Sequence, residues 1–154
     1  MEPVIITMSL PALQDIVENF EMLDDWDDRY RYLIELGRSL PPFPDEARIE
    51  TNRVRGCASQ VWLVSRVTKD ATGAETISLG GDSDAHIVRG LVAFVLAAYS
   101  GQKRSDFATI DVMSMFARLG LGQHLSPQRN NGVRAMVDRI KAMASEDGAA
   151  AATP

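Results

Sequence analysis

Residues 61–79 read VWLVSRVTKDATGAETISL. Residues 61–68 are strand-like, residues 69–73 have the composition of a turn, and residues 75–79 alternate in character. This pattern predicts an antiparallel β-hairpin. We expect a third strand over about residues 49–55, which would place Gly56 and Cys57 in the tight connection between neighbouring strands, at one end of a small sheet.

Apolar residues at helical spacing on both sides of the hairpin predict about five helices. The most apolar of them, over residues 85–99, is expected to form the buried centre, whereas residues 121–125 are expected to form a loop. The expected helices are one capped by Ser9 with its apolar stripe over 13–20, one from Asp24 or Asp25 to Gly37, one over 85–99 capped by Ser83 or Asp84, one over 112–119, and one beginning at Ser126 and Pro127.

These elements predict an α+β fold in which a small three-stranded antiparallel sheet packs with about five helices. The chain has 154 residues, of which 45% are hydrophobic and 24% charged, which fits one globular domain. We expect that domain to cover residues 1–145. The alanine-rich segment 146–154 has no periodicity and is expected to be a disordered tail.

Charge and hydropathy exclude several classes of partner. The net charge of -5 argues against nucleic-acid binding, which requires a concentrated basic surface. No segment has the roughly 20 apolar residues needed to span a membrane, and the first residues do not resemble a secretory signal. We therefore expect a cytoplasmic protein with no membrane partner.

Cys57 is the only cysteine, so it cannot form an internal disulfide or hold a metal or iron-sulfur site by itself. A lone cysteine is often a buried, unreactive part of the core. Here, however, Gly56 precedes it in a turn, and Arg53 and Arg55 lie just upstream. Positive charge lowers the pKa of a thiol and so increases the fraction present as nucleophilic thiolate. The same arginines are equally consistent with a solvated strand face.

The two histidines, His86 and His124, are the available partners for Cys57 in a cysteine hydrolase. His124 is the better candidate because it precedes a capped helix. No signature of an orienting group or an oxyanion hole surrounds Cys57, so the sequence favours other chemistry.

Four blocks of the chain together resemble the SufE family of sulfur-acceptor proteins, which includes CsdE-like members. They are LGRSLP at 36–41, NRVRGCASQVWLV at 52–64, GDSDA and IVRGL within 81–91, and QHLSPQR at 123–129, followed by Gly132. The resemblance implies a SufE/IscU-like fold. It also implies that Cys57 accepts sulfur as a persulfide from a cysteine desulfurase of the SufS or related CsdA type. The protein would then stimulate that enzyme and pass the sulfur to a SufBCD-type scaffold.

The resemblance implies a sulfur carrier acting by transpersulfidation rather than a stand-alone enzyme. It implies no cofactor on this chain, because pyridoxal phosphate belongs to the desulfurase, and a monomer or weak homodimer. A single thiolate also argues against a cluster scaffold, which normally supplies several. A regulatory module that binds a desulfurase without carrying sulfur stays open as the alternative.

Five further residues of this region are candidates for supporting roles at Cys57. Each also has a structural interpretation, as a cap, a loop hydrogen bond or a charge near a helix end. We expect a loop over about residues 53–60 to move when a desulfurase binds. The candidates are Arg55, Gln60, Asp84, His124 and Arg129.

Overall fold

The computed structural model describes residues 10–145. Within them, no helix is long and apolar enough to cross a membrane. The Ser9 cap and the predicted tail over 146–154 lie outside the described residues. The α-helices are α1 (Leu13–Met22), α2 (Trp26–Arg38), α3 (His86–Tyr99), α4 (Val112–Arg118), α5 (Leu121–His124) and α6 (Pro127–Ser145), the strands are β1 (Val61–Lys69), β2 (Glu75–Ser83) and β3 (Gln102–Lys103), and short 3-10 helices span Asp45–Ala47, Glu50–Asn52 and Arg104–Thr109.

The predicted hairpin is confirmed, since β1 and β2 pair antiparallel along their whole length. Its turn is closed by the Asp70 carboxylate, which accepts hydrogen bonds from the backbone N–H groups of Thr72 and Ala74. Gly73 completes the turn with a φ of 89°, a conformation that favours glycine. β2 extends to Ser83, beyond the expected end at residue 79.

The sheet has three antiparallel strands, as predicted, but the third strand is a different segment. It is β3, which pairs with β2, so that the order is β1-β2-β3. The segment predicted as a strand instead forms the 3-10 helix Glu50–Asn52 and a single bridge between Arg53 and Trp62. Gly56, with a φ of 94°, then turns the chain away before a ladder can extend.

The helix α3 is the buried centre of the molecule, as its apolar composition predicts. It crosses α2 at very short range because both helices carry a glycine at the crossing. A Cβ at Gly90 would overlap the carbonyl oxygen of Leu33, and one at Gly37 would lie 2.8 Å from the Gly90 nitrogen. The close crossing fixes α3 against α2 and the sheet.

The helix ends agree with the sequence only in part. Ser126 caps α6, because its hydroxyl accepts a hydrogen bond from the Arg129 N–H at 3.2 Å. The predicted Ser83 or Asp84 cap of α3 is wrong: the N-cap is Ala85, with no side-chain cap. The expected loop over 121–125 contains the single-turn helix α5.

Candidate functional site

Cys57 lies on a narrow loop between the second 3-10 helix and β1. We call residues 54–61 the Cys57 loop. Its neck is closed by a hydrogen bond of 2.8 Å from the Val54 N–H to the Val61 carbonyl oxygen, and both side chains are buried. Gly56, in its left-handed conformation, makes the turn that precedes the thiol. The ends of the loop are therefore anchored, and residues 55–60 extend from them.

The loop rests on one face of α6. The Cys57 Sγ lies 3.6 Å from the Gly132 carbonyl oxygen, and a Cβ at Gly132 would lie 3.5 Å from that sulfur. A Cβ at Gly56 would lie 3.2 Å from the Ala135 Cβ. The loop thus packs tightly on α6 at Ala135 and at ordinary van der Waals distance beside Gly132, and Cys57 is left half-buried.

A cavity of about 320 Å³ opens beside the thiol, between the Cys57 loop, α3 and the start of α6. Its apolar wall is formed by Val88, Leu91 and Met136. Its polar lining is formed by Ser59, Ser126, Gln128 and Arg129. Cys57 therefore faces a space much larger than one sulfur atom, and Arg129 is the one predicted supporting residue that lines it with the cysteine.

Two opposing effects act on the pKa of the Cys57 thiol, namely burial and the charge of Arg53. Burial raises the pKa of Cys57, and the charge of Arg53 offsets this only in part. Glu50 competes for both arginines, with carboxylate oxygens 3.7 Å from Arg53 Nη1 and 3.3 Å from Arg55 Nη2. The Arg55 side chain is 79% exposed and does not line the cavity. Of the two interpretations that the sequence left open for these arginines, the solvated one fits Arg55 in this conformation, whereas Arg53 lowers the pKa of the thiol less than burial raises it.

Two predicted supporting residues, Gln60 and Asp84, bind each other at the end of the loop. The Asp84 carboxylate accepts hydrogen bonds from the Gln60 backbone N–H at 3.1 Å and from its side-chain Nε2 at 3.4 Å. The Asp84 N–H donates to the Gln60 carbonyl at 3.3 Å. These three contacts hold the end of the Cys57 loop to the residues just before α3.

His124 lies apart from the thiol. Its ring stacks on Trp26 with 3.7 Å between ring centroids, its Nδ1 lies 3.1 Å from the Gly120 carbonyl oxygen, and its own carbonyl accepts the Tyr30 hydroxyl. Among the described residues, the cavity lining includes no histidine. The geometry gives no Cys-His pair, and no three His, Cys, Asp or Glu side chains within 10–145 are grouped to hold a metal ion.

Sequence reasoning missed two sets of contacts that fix this region. Arg139 of α6 donates from Nη1 to the Arg53 carbonyl at 3.0 Å and from Nη2 to the Thr51 carbonyl at 2.8 Å. The position of Arg139 seven residues after Gly132, two helical turns along the same face, was the available signal.

The second set of contacts surrounds Asp82, which is 8% exposed. Its carboxylate pairs with Arg48 Nη2 at 2.5 Å and with Arg89 Nε at 3.0 Å. The Arg48 guanidinium also lies over the rings of Phe43 and Trp62. This cluster binds the connection before the Cys57 loop to the end of β2 and to α3, and the acidic block at 81–85 was its only sequence signal.

Most of the chain is similar in sequence to one known protein family. Residues 14–144 match the SufE domain, described as an Fe-S metabolism associated domain. An uncharacterised SufE-like protein of Rhizobium meliloti (strain 1021) is 51% identical over 135 residues, covering 88% of this chain and 96% of the relative. One of Rhizobium etli is 51% identical over 141 residues, covering 92% and 95%.

A solved structure supports the architecture. The solution structure of a hypothetical protein from Thermus thermophilus matches with a TM-score of 0.68 at 22% identity, covering 89% of this chain and 96% of that one. At this identity the likeness shows the fold alone.

Proposed function

Because the chain belongs to the SufE family, described as an Fe-S metabolism associated domain, we propose that it carries sulfur for iron-sulfur cluster assembly with Cys57 as the acceptor. The position of Cys57 is the observation that carries the proposal. The single thiol of the chain lies on a tight loop beside a cavity of about 320 Å³. An added sulfur atom needs such room, because a persulfide extends the side chain by one S–S bond of about 2 Å.

The proposed donor is the persulfide of a SufS-type or CsdA-type cysteine desulfurase, which itself carries pyridoxal phosphate. The Cys57 thiolate attacks the outer sulfur of the donor Cys–S–SH. A new S–S bond forms on Cys57, the donor S–S bond breaks, and the donor cysteine leaves as a thiolate. The proton lost from Cys57 is balanced by protonation of that thiolate, and no external oxidant or reductant is required.

The raised pKa of Cys57 gives the proposal a specific requirement. A protonated thiol is a poor nucleophile, so the resting protein reacts slowly. Binding of the desulfurase must therefore expose or deprotonate the thiol. We propose that residues 55–59 move at that step, since residues 54 and 60 are held by hydrogen bonds to Val61 and Asp84.

The rest of the proposed route follows from the same chemistry. Removal of sulfur from the desulfurase regenerates its free cysteine and so stimulates turnover. The persulfide then passes to a SufBCD-type scaffold. We place these steps in the cytoplasm, where a free thiol persists, and assign the working protein as a monomer or weak homodimer.

One observation favours a second candidate, a regulatory module that activates a desulfurase without accepting sulfur. Burial raises the pKa of Cys57, and an unreactive thiol is what a purely structural cysteine presents. In this case the contacts around the loop would serve to shape a binding surface, and the sulfur of Cys57 would not enter the reaction.

Intact mass spectrometry separates the two candidates. The purified protein is incubated with a SufS-type desulfurase and cysteine, with Cys57→Ser as the matched control. We expect a gain of one sulfur atom that is removed by reductant, in the wild type alone, and loss of desulfurase stimulation in Cys57→Ser. No gain during measured desulfurase turnover, with stimulation retained by Cys57→Ser, would refute carriage and favour the regulatory module.

A further inference from the structure

One face of α6 supports the Cys57 loop along its length. Gly132 lies beside the thiol and Ala135 beside Gly56. Arg139, one further turn along the same face, binds the backbone before the loop. The first two are packing contacts, whereas Arg139 supplies charged hydrogen bonds to the backbone.

The geometry of Arg139 suits it to hold two points of the chain at once. Its guanidinium presents donors in a rigid planar fork, and two of them reach the carbonyl oxygens of Thr51 and Arg53 at 2.8 and 3.0 Å. Hydrogen bonds from a charged donor are stronger than those between neutral groups. The two contacts therefore tie α6 firmly to the chain on either side of residue 52.

Arg53 is the link from this contact to the thiol. Its carbonyl is held by Arg139, its backbone forms the bridge to Trp62, and its charge acts on Cys57. If the bond to Arg139 is absent, the segment before Val54 keeps the bridge, the Val54–Val61 hydrogen bond and local contacts such as the 3.1 Å bond from the Arg53 N–H to the Glu50 carbonyl, but it loses its hydrogen bonds to α6. The part of the chain that can move then extends from residues 55–59 back to residue 51.

We propose that Arg139 is a positioning residue that holds the base of the Cys57 loop on α6 and so favours the conformation in which the thiol is covered. The inference rests on the proposed function of Cys57, whose exposure it regulates. A contact shifts such an equilibrium only if it is stronger in one state. The two Arg139 hydrogen bonds satisfy this condition, because they join α6 to the chain only while the loop base lies on the helix.

The test measures loop opening without any sulfur transfer. Native-state alkylation of Cys57 by iodoacetamide is followed for the wild type, Arg139→Ala and Arg139→Lys, with hydrogen exchange of the amides of residues 55–60. The matched control is Arg134→Ala, which removes an exposed arginine from the same helix. We expect alkylation at least fivefold faster in Arg139→Ala, an intermediate rate in Arg139→Lys, and a change under twofold in Arg134→Ala.

A merely structural role would accelerate exchange throughout the molecule. We expect faster exchange at residues 55–60 with unchanged protection in the hairpin and α3. Equal alkylation rates in Arg139→Ala and Arg134→Ala would overturn the inference, as would a loss of hairpin protection as large as that of the loop in both Arg139 variants. Neither alkylation nor hydrogen exchange involves a desulfurase. A failure of sulfur transfer in the mass experiment would therefore refute the proposed function without changing the result for Arg139.

Discussion

Replacing Gly132 with alanine should make the protein more stable and a poorer sulfur carrier. Glycine inside a helix costs about 1 kcal/mol relative to alanine. The added Cβ would lie 3.5 Å from Cys57 Sγ and 3.9 Å from its Cβ, both ordinary van der Waals distances. We therefore expect a gain of about 1 kcal/mol in the free energy of unfolding, or roughly 3 °C in Tm for a domain of this size.

Formation of the persulfide on Cys57, in contrast, should become less favourable in Gly132→Ala. The new methyl group occupies the wall of the cavity next to the sulfur, on the side where Cys57 already approaches α6. If the outer sulfur lies on this side rather than in the open part of the cavity, the added methyl group crowds it, and such crowding typically costs about 1–3 kcal/mol. Each 1.4 kcal/mol is about tenfold in an equilibrium, so we expect the persulfide fraction at equilibrium with the desulfurase to fall by roughly fivefold or more.

Two measurements on one sample test the predicted gain in stability and loss of loading: thermal unfolding of the reduced protein, and intact mass after loading with sulfur by a desulfurase. Gly122→Ala is the control, because its Cβ would meet only the Asn130 side-chain oxygen, at 3.8 Å. If Gly132→Ala lowers Tm, the glycine is needed for backbone approach to the thiol loop. If loading is unchanged, the outer sulfur does not lie beside Gly132, and the reasoning is refuted.

Four further predictions concern the thiol and the contacts that hold its loop. Asp84→Asn weakens the contacts to Gln60, so alkylation of Cys57 should accelerate by about two- to fivefold, the equivalent of about 0.5–1 kcal/mol for an exposed hydrogen bond; an unchanged rate would mean that the loop opens without breaking this contact. The pH midpoint of Cys57 alkylation should lie above that of a model thiol, because burial raises its pKa, and Arg53→Gln should raise it further; a midpoint below the model thiol would contradict the structure. Because the pKa of Cys57 is higher in the folded state, its protonated thiol contributes to the free energy of unfolding. This contribution is fully present below the pKa of the unfolded chain and is lost as the pH rises through the folded pKa. Urea unfolding of the wild type beside Cys57→Ser at several pH values measures it. Asp82→Asn should lower the free energy of unfolding by about 2 kcal/mol, because it removes the carboxylate from Arg89 and leaves Arg48 only its exposed partner Asp45, and a loss under about 0.5 kcal/mol would show that the cluster is solvated.

Local signals in the sequence were sufficient for the elements that depend on local physics. The hairpin follows from strand composition on either side of the Asp70 turn, and the buried character of α3 follows from its apolar residues. The cap of α6 by Ser126 is likewise a property of a few adjacent residues. These features together explain why the fold class was predicted correctly.

The third strand and the contacts of the thiol depend on residues far apart in sequence. We predicted a strand over residues 49–55, but residues 50–52 form a 3-10 helix and Gly56 turns the chain away, so only the single bridge between Arg53 and Trp62 forms. β3 has only two residues, too few for a periodic signal. The direction of the Cys57 pKa shift could not be inferred from nearby arginines, because the burial that raises it comes with packing against α6, in which Gly132 lies 75 residues further along the chain.

In the resting conformation, burial of Cys57 both lowers the reactivity of the thiol and protects it, and this affects which partners can react with it. We expect a half-buried thiol with a raised pKa to react slowly with small electrophiles and disulfides in solution. If Cys57 carries sulfur as proposed, the same burial shields the persulfide from stray thiols once it has formed. Fast transfer then requires a partner whose binding energy opens the loop against the Asp84 and Arg139 contacts. Selectivity therefore resides in the loop equilibrium rather than in the intrinsic nucleophilicity of the sulfur, and variants that loosen the loop should gain reactivity with small molecules while losing discrimination between partners.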